Sequence, residues 1–136
     1  MTTAAKLFTY SNLTDAERER FDCLWSDLPA HSGYWLDNVD FAPENTYDSP
    51  NKVMRLVLQD GVYPGVNFPP YYLLTKDMVI ARLQGDVGLY FANHERDYFR
   101  RFGKDVLNGD FALVDYDADV TDVAIQLLLF GKVLFA

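Results

Sequence analysis

The sequence predicts an α+β fold, a single compact domain over residues 1–136 in which a short, mostly antiparallel sheet carries about four helices packed against it. Three observations carry that expectation. Residues 15–28 have the apolar spacing of an amphipathic helix, residues 123–130 have Gln126 as their one polar residue and are apolar nearly all round, and several short runs read as strands, with period-2 alternation at Val87 to Phe91. The length suits one ordinary domain, and an apolar fraction of 49% with 10 Phe, 9 Tyr and 2 Trp excludes a disordered chain.

Taken in order, Lys6 to Tyr10 reads as a short strand closed by Ser11-Asn12. Thr14-Asp15-Ala16-Glu17 has capping-box spacing, and Phe21, Leu24, Trp25 and Leu28 follow at i, i+3, i+4 and i+7, a helix that Pro29 ends. Residues 29–49 show no clean period and read as a long ordered loop, a length of connection that is often functional. Ser49-Pro50 and Gly61 bracket residues 50–60 as a helix, although Val53 to Leu58 also suits a strand. Tyr71 to Leu74 reads as a brief strand, and Thr75 caps a helix through Gln84. Val87, Leu89 and Phe91 alternate as a strand does, and Asn93 caps a helix from His94 to Phe102. Asn108-Gly109 makes a tight turn into a strand at Phe111 to Tyr116. The last helix follows an aspartate-rich hinge, with Thr121 or Asp119 as N-cap and Gly131 after its end, and Lys132 to Ala136 reads as a terminal strand.

Net charge is −8, distributed as −6 over residues 1–50, +2 over residues 51–109 and −4 over residues 110–136. Such a balance disfavours direct binding of nucleic acid and points to a protein partner with a basic surface. One cysteine excludes an internal disulfide framework and suits a reducing compartment. The first residues lack the pattern of a secretion signal, and the apolar C-terminal stretch is too short and too charged to span a bilayer, so a cytoplasmic protein with no membrane contact is expected.

The hinge Asp115-Tyr116-Asp117-Ala118-Asp119-Val120-Thr121-Asp122 concentrates four carboxylates. Within it, Asp117-x-Asp119-x-Thr121 resembles the signature of the haloacid-dehalogenase-like phosphotransferases. The resemblance implies a nucleophilic Asp117, a proton-handling Asp119 and magnesium beside both. That family carries its signature after the first strand of an α/β domain, whereas here it stands near the end of the sequence. Asp115-x-Asp117-x-Asp119 is similar to the opening of an EF-hand loop, yet Val120 and Gln126 stand where that loop needs Gly and Glu. Asp115, Asp117 and Asp119 are therefore weak candidates for a cation, and the plainer expectation is a solvated acidic turn that caps a buried helix.

Elsewhere, carboxylates around Cys23 disfavour its thiolate, and neither His31 nor His94 has a second ligand at metal spacing. His94, Arg96, Arg100, Arg101 and Lys104 form a basic cluster that reads as a solvated face or an anion site. Tyr34, Trp35, Asp37, Asp40, Phe41, Glu44, Tyr47 and Asp48 combine large aromatics with carboxylates, the composition of a contact surface for a Lys- and Arg-rich partner; Trp35 and Phe41 also suit plugs folded onto the core.

The expectation drawn from these features is a non-catalytic acidic protein-binding module without a cofactor. It would be an inhibitor or immunity-type protein that occupies a basic, even nucleic-acid-binding, site on its partner. Two other classes stand beside it: a magnesium-dependent phosphoryl-transfer enzyme using Asp117 and Asp119, and an assembly subunit that self-associates through Val133, Leu134 and Phe135.

Overall fold

The computed structural model describes residues 7–41 and 53–135. Among these, a 3-10 turn (Tyr10–Asn12) precedes α1 (Asp15–Asp27), then β1 (Leu36–Asp40), β2 (Val53–Leu58) and β3 (Tyr72–Thr75). Next come α2 (Lys76–Leu83), α3 (Asp86–Ala92), α4 (Asp97–Asn108), a second 3-10 turn (Phe111–Leu113) and α5 (Ala118–Phe130). The fold is α+β, with one antiparallel sheet in the order β1-β2-β3.

Alternation along β2 turns Met54, Leu56 and Leu58 into the core and leaves Arg55 outside, opposite Asp40 on β1 and Leu73 on β3. A bulge between Leu36 and Asn38 on β1 restores register after the turn that delivers Trp35 to the core. The helices supply the other wall. In α1, Phe21, Leu24 and Trp25 are buried, and the capping box forms as expected, with Thr14 N–H donating to Glu17 Oε1 at 2.7 Å. Thr75 caps α2, and α5 buries seven residues, Gln126 among them.

Several elements differ from the sequence expectation. Residues 53–58 are a strand and not part of the helix expected over 50–60, the alternative that the Val53 to Leu58 run also suited; Ser49 and Pro50 lie outside the described residues. The alternating run at Val87 to Phe91 is helical instead. A five-residue run as short as Val87 to Phe91 satisfies either period, and here Gly88 lets α3 press against the Leu83 carbonyl and Leu107. Asn108-Gly109 is no hairpin turn; Gly109, at φ 77°, ends α4. The Phe111 to Tyr116 stretch pairs with no strand among the described residues, because Phe111 and Val114 bury themselves three residues apart through a 3-10 turn. Residues 7–10 form no strand among the described residues; Phe8 N–H donates to Gln84 Oε1 and Tyr10 N–H to Asp77 Oδ1, each at 2.8 Å.

α3 and α4 meet at a very short distance. A Cβ built on Gly103 would lie 2.1 Å from the Ala92 backbone nitrogen, so only glycine permits that crossing.

Candidate functional site

The aspartate hinge and the loop after α1, far apart in sequence, converge on one side chain. Asp117, not Thr121 or Asp119, caps α5 by accepting the Val120 N–H at 2.9 Å. That start places Asp122 in the helix beside the Ser32–Trp35 turn. Ser32 Oγ donates to Asp122 Oδ1 at 2.6 Å and Trp35 Nε1 donates to the same oxygen at 2.9 Å. Tyr34 OH donates to Oδ2 at 2.5 Å, and Gln126 Nε2 approaches Oδ2 at 3.4 Å. Burial, then the Asp122 hydrogen bond and charge, push the Tyr34 phenol up to about 12.

Each hinge carboxylate thus has its own partner. Asp115 lies 3.6 Å from Arg20 Nη2, Asp117 caps α5, Asp119 lies 3.6 Å from Arg96 Nη2, and Asp122 ties the loop. Among the described residues no group of three or more His, Cys, Asp or Glu side chains is arranged to hold a metal ion. The Asp-x-Asp-x-Thr stretch opens a helix, with Thr121 buried and its hydroxyl donating to the Ala118 carbonyl at 3.1 Å, an ordinary back-bond of a helical threonine.

Tyrosines stand between the carboxylates. Tyr116 OH donates to Asp27 Oδ2 at 2.8 Å, and its pKa rises through burial and then that bond. The Tyr98 pKa rises through burial and then the charges of Asp115 and Asp117. The result is a tyrosine-carboxylate band in which Tyr34 adjoins Asp119 and Asp122, Tyr98 adjoins Asp115 and Asp117, and Tyr116 shares Arg20 with Asp115, with Arg96 and Arg101 at its margins.

The aromatic-acidic loop divides. Tyr34 stays 49% exposed despite its tether. Trp35 is fully buried and stacks on Phe135 with centroids 5.1 Å apart, so it is a core residue and not a surface anchor. Asp37 is exposed, Asp40 pairs with Arg55 at 3.3 Å, and Phe41 packs half-buried against Trp25. Glu44, Tyr47 and Asp48 lie outside the described residues.

The C-terminal segment folds back on its own chain. Gln126 Oε1 accepts from Leu134 N–H at 2.8 Å and Phe135 N–H at 2.7 Å, while its Nε2 donates to the Phe135 carbonyl at 3.0 Å. Leu134 and Phe135 are half-buried by this fastening and Val133 is exposed. The role of Gln126 was signalled by its being the sole polar residue of an otherwise apolar run; Ser32 carried no comparable signal.

The basic cluster is largely engaged locally. Arg100 pairs with Asp97 and reaches the His94 and Glu95 carbonyls, Arg101 lies over Tyr98, and Arg96 lies over Phe99 with Cζ 4.4 Å from the ring centroid. Beside Arg96 opens a cavity of about 400 Å³ lined by Tyr90, His94, Phe99, Asp119, Asp122, Val123, Val133 and Phe135. The juxtaposition of Arg96 with Asp119 across it was not legible in the sequence.

No family model matches the chain, and comparison with curated proteins and with solved structures returns no match. Among the described residues no helix is long and apolar enough to cross a membrane.

Proposed function

We propose that this protein is a non-catalytic binding module that covers a basic site on a partner protein, in the manner of an inhibitor or immunity-type protein. Where the target binds nucleic acid, the carboxylates of the band take the positions of phosphates. The observation that carries the reading is the tyrosine-carboxylate band around the start of α5. Asp115 and Asp119 have side chains 75% and 67% exposed, each with an arginine no nearer than 3.6 Å. Ion pairs so long and so exposed are weak, and their carboxylates remain available to a Lys- or Arg-rich surface. Tyr34, Tyr98 and Tyr116 add amphipathic contact area at low entropic cost.

The test is co-purification from the source lysate over a salt series, comparing wild type with the Asp115→Lys/Asp119→Lys variant. The expected result is a stoichiometric partner held at low salt, released at high salt and absent from the variant, whose circular dichroism stays that of wild type. A partner retained by the variant, or no partner at low salt, would overturn the reading.

A further inference from the structure

We infer that the cavity between α3, α4 and α5 is a slot for a guanidinium, the head group of an arginine presented by a partner protein, and that Arg96, on its wall, covers the Phe99 face of that slot in the free molecule. The inference rests on reading the acidic band as a protein-binding face and adds the side chain that face recognises.

A guanidinium site needs a flat aromatic platform and a carboxylate at its edge. Phe99 supplies the platform. It is 3% exposed and wedged between His94 and Phe91, with centroids 4.7 and 5.3 Å away, so its ring is fixed before any ligand arrives. Asp119 supplies the edge. Its oxygen lies 3.6 Å from Arg96 Nη2, too far for a hydrogen bond, and its lone pairs are underused. Asp122 stands on the same wall with both oxygens already bonded, so it contributes negative field and no further acceptor.

Arg96 marks the ligand class. Its Cζ sits 4.4 Å over the Phe99 centroid with Asp119 at its margin, the posture an incoming arginine would take. It is held loosely: the side chain is 51% exposed, and the space beside it measures about 400 Å³. An anion would fit this lining badly, since it would meet Asp119 and Asp122. His94 Nδ1 already accepts the Arg96 N–H at 3.1 Å and offers no proton on that side. Tyr90, 40% exposed, forms an outer lip.

The experiment is calorimetric titration with N-acetyl-arginine amide of wild type, Arg96→Ala, Arg96→Gln and Asp119→Asn, with the lysine analogue and inorganic phosphate as comparison probes. Vacating the slot should tighten binding about tenfold in both Arg96 variants, because the ligand no longer competes with an occupant. Asp119→Asn should weaken it roughly threefold, the scale of one exposed charge pair. The lysine analogue should bind less well than arginine in every case. Equal or weaker binding in both Arg96 variants would overturn the inference, as would phosphate binding that is lost with Arg96, which would make the cavity an anion site. Since the probe needs no partner, its failure alongside salt-sensitive capture would sink the slot alone. Arginine binding without any captured partner would sink the broader reading and leave the slot standing.

Discussion

The Lys76 ammonium lies 2.7 Å from Asp22 Oδ1 and 4.2 Å from the Tyr10 ring centroid, on a side chain only 8% exposed. It closes the seam where the N-terminal segment, α1 and α2 meet, and Tyr10 OH donates to the other Asp22 oxygen at 2.8 Å. A buried cation is tolerated only while its counter-charge stays. Asp22→Asn should therefore cost about 2 kcal/mol, below the figure for a fully buried pair because Asp22 is 44% exposed. Lys76→Met, which removes the charge and keeps the stem, should cost less than about 1 kcal/mol. Denaturant midpoints of the two variants check the ordering, and an Asp22 variant as stable as Lys76→Met would refute it.

Asp122→Ala should destabilise more, by about 3 kcal/mol, since it strips an acceptor from buried Ser32 and Trp35 together. Asp122→Asn, which keeps one acceptor oxygen, should lose roughly half as much. Urea unfolding followed by tryptophan emission reads both, because Trp35 sits at the joint.

Tyr34 makes stability fall at alkaline pH. Its phenol ionises near 10 in the unfolded chain and at about 12 in the folded one, so above pH 10 the unfolded state binds fewer protons. The contribution is fully present below pH 10 and is lost as pH rises through about 12. Burial raises the Tyr116 pKa in the same direction. Tyr34→Phe should flatten the alkaline decline while lowering stability at neutral pH through the missing bond to Asp122. Melting temperatures across that window, beside a tyrosinate absorbance titration, test both parts.

Helix ends coded by local hydrogen bonds were legible in the sequence, although the starts of α4, at Asp97 and not His94, and of α5, capped by Asp117, were not. Thr14 with Glu17, Thr75, and Gly131 mark boundaries through local hydrogen bonds that need no tertiary partner. Short segments were not, since their state is decided by what they touch. Val87 to Phe91 is helical because Gly88 admits close packing, and residues 111–113 are a 3-10 turn because two apolar side chains three apart, Phe111 and Val114, reach the core. At the candidate site the acidic and aromatic composition was visible, but its geometry was not. Nothing local to Tyr34 announces Asp122, and nothing local to Arg96 announces Asp119.

Gly103→Ala should be among the most damaging single substitutions in the described chain. The added methyl meets backbone, the Ala92 nitrogen at 2.1 Å, which cannot rotate aside. A loss of about 3 kcal/mol is expected, against a gain of under 1 kcal/mol from helix propensity alone. Gly33→Ala, with nothing within 4 Å, is the control and should change the melting temperature little.

The close crossing of α3 and α4 also sets an order of events. Gly103 and Ala92 meet across a separation of only 11 residues, whereas Ser32 and Asp122 join only after the chain closes a loop of 90 residues. Loop closure delays distant contacts, so the 86–108 helical pair is expected to form early and the Asp122 joint late. Gly103→Ala should then act mainly on the refolding rate and Asp122→Ala mainly on the unfolding rate, which a stopped-flow chevron of the two variants checks. The joint that orders the tyrosine-carboxylate band is therefore expected to close last in folding.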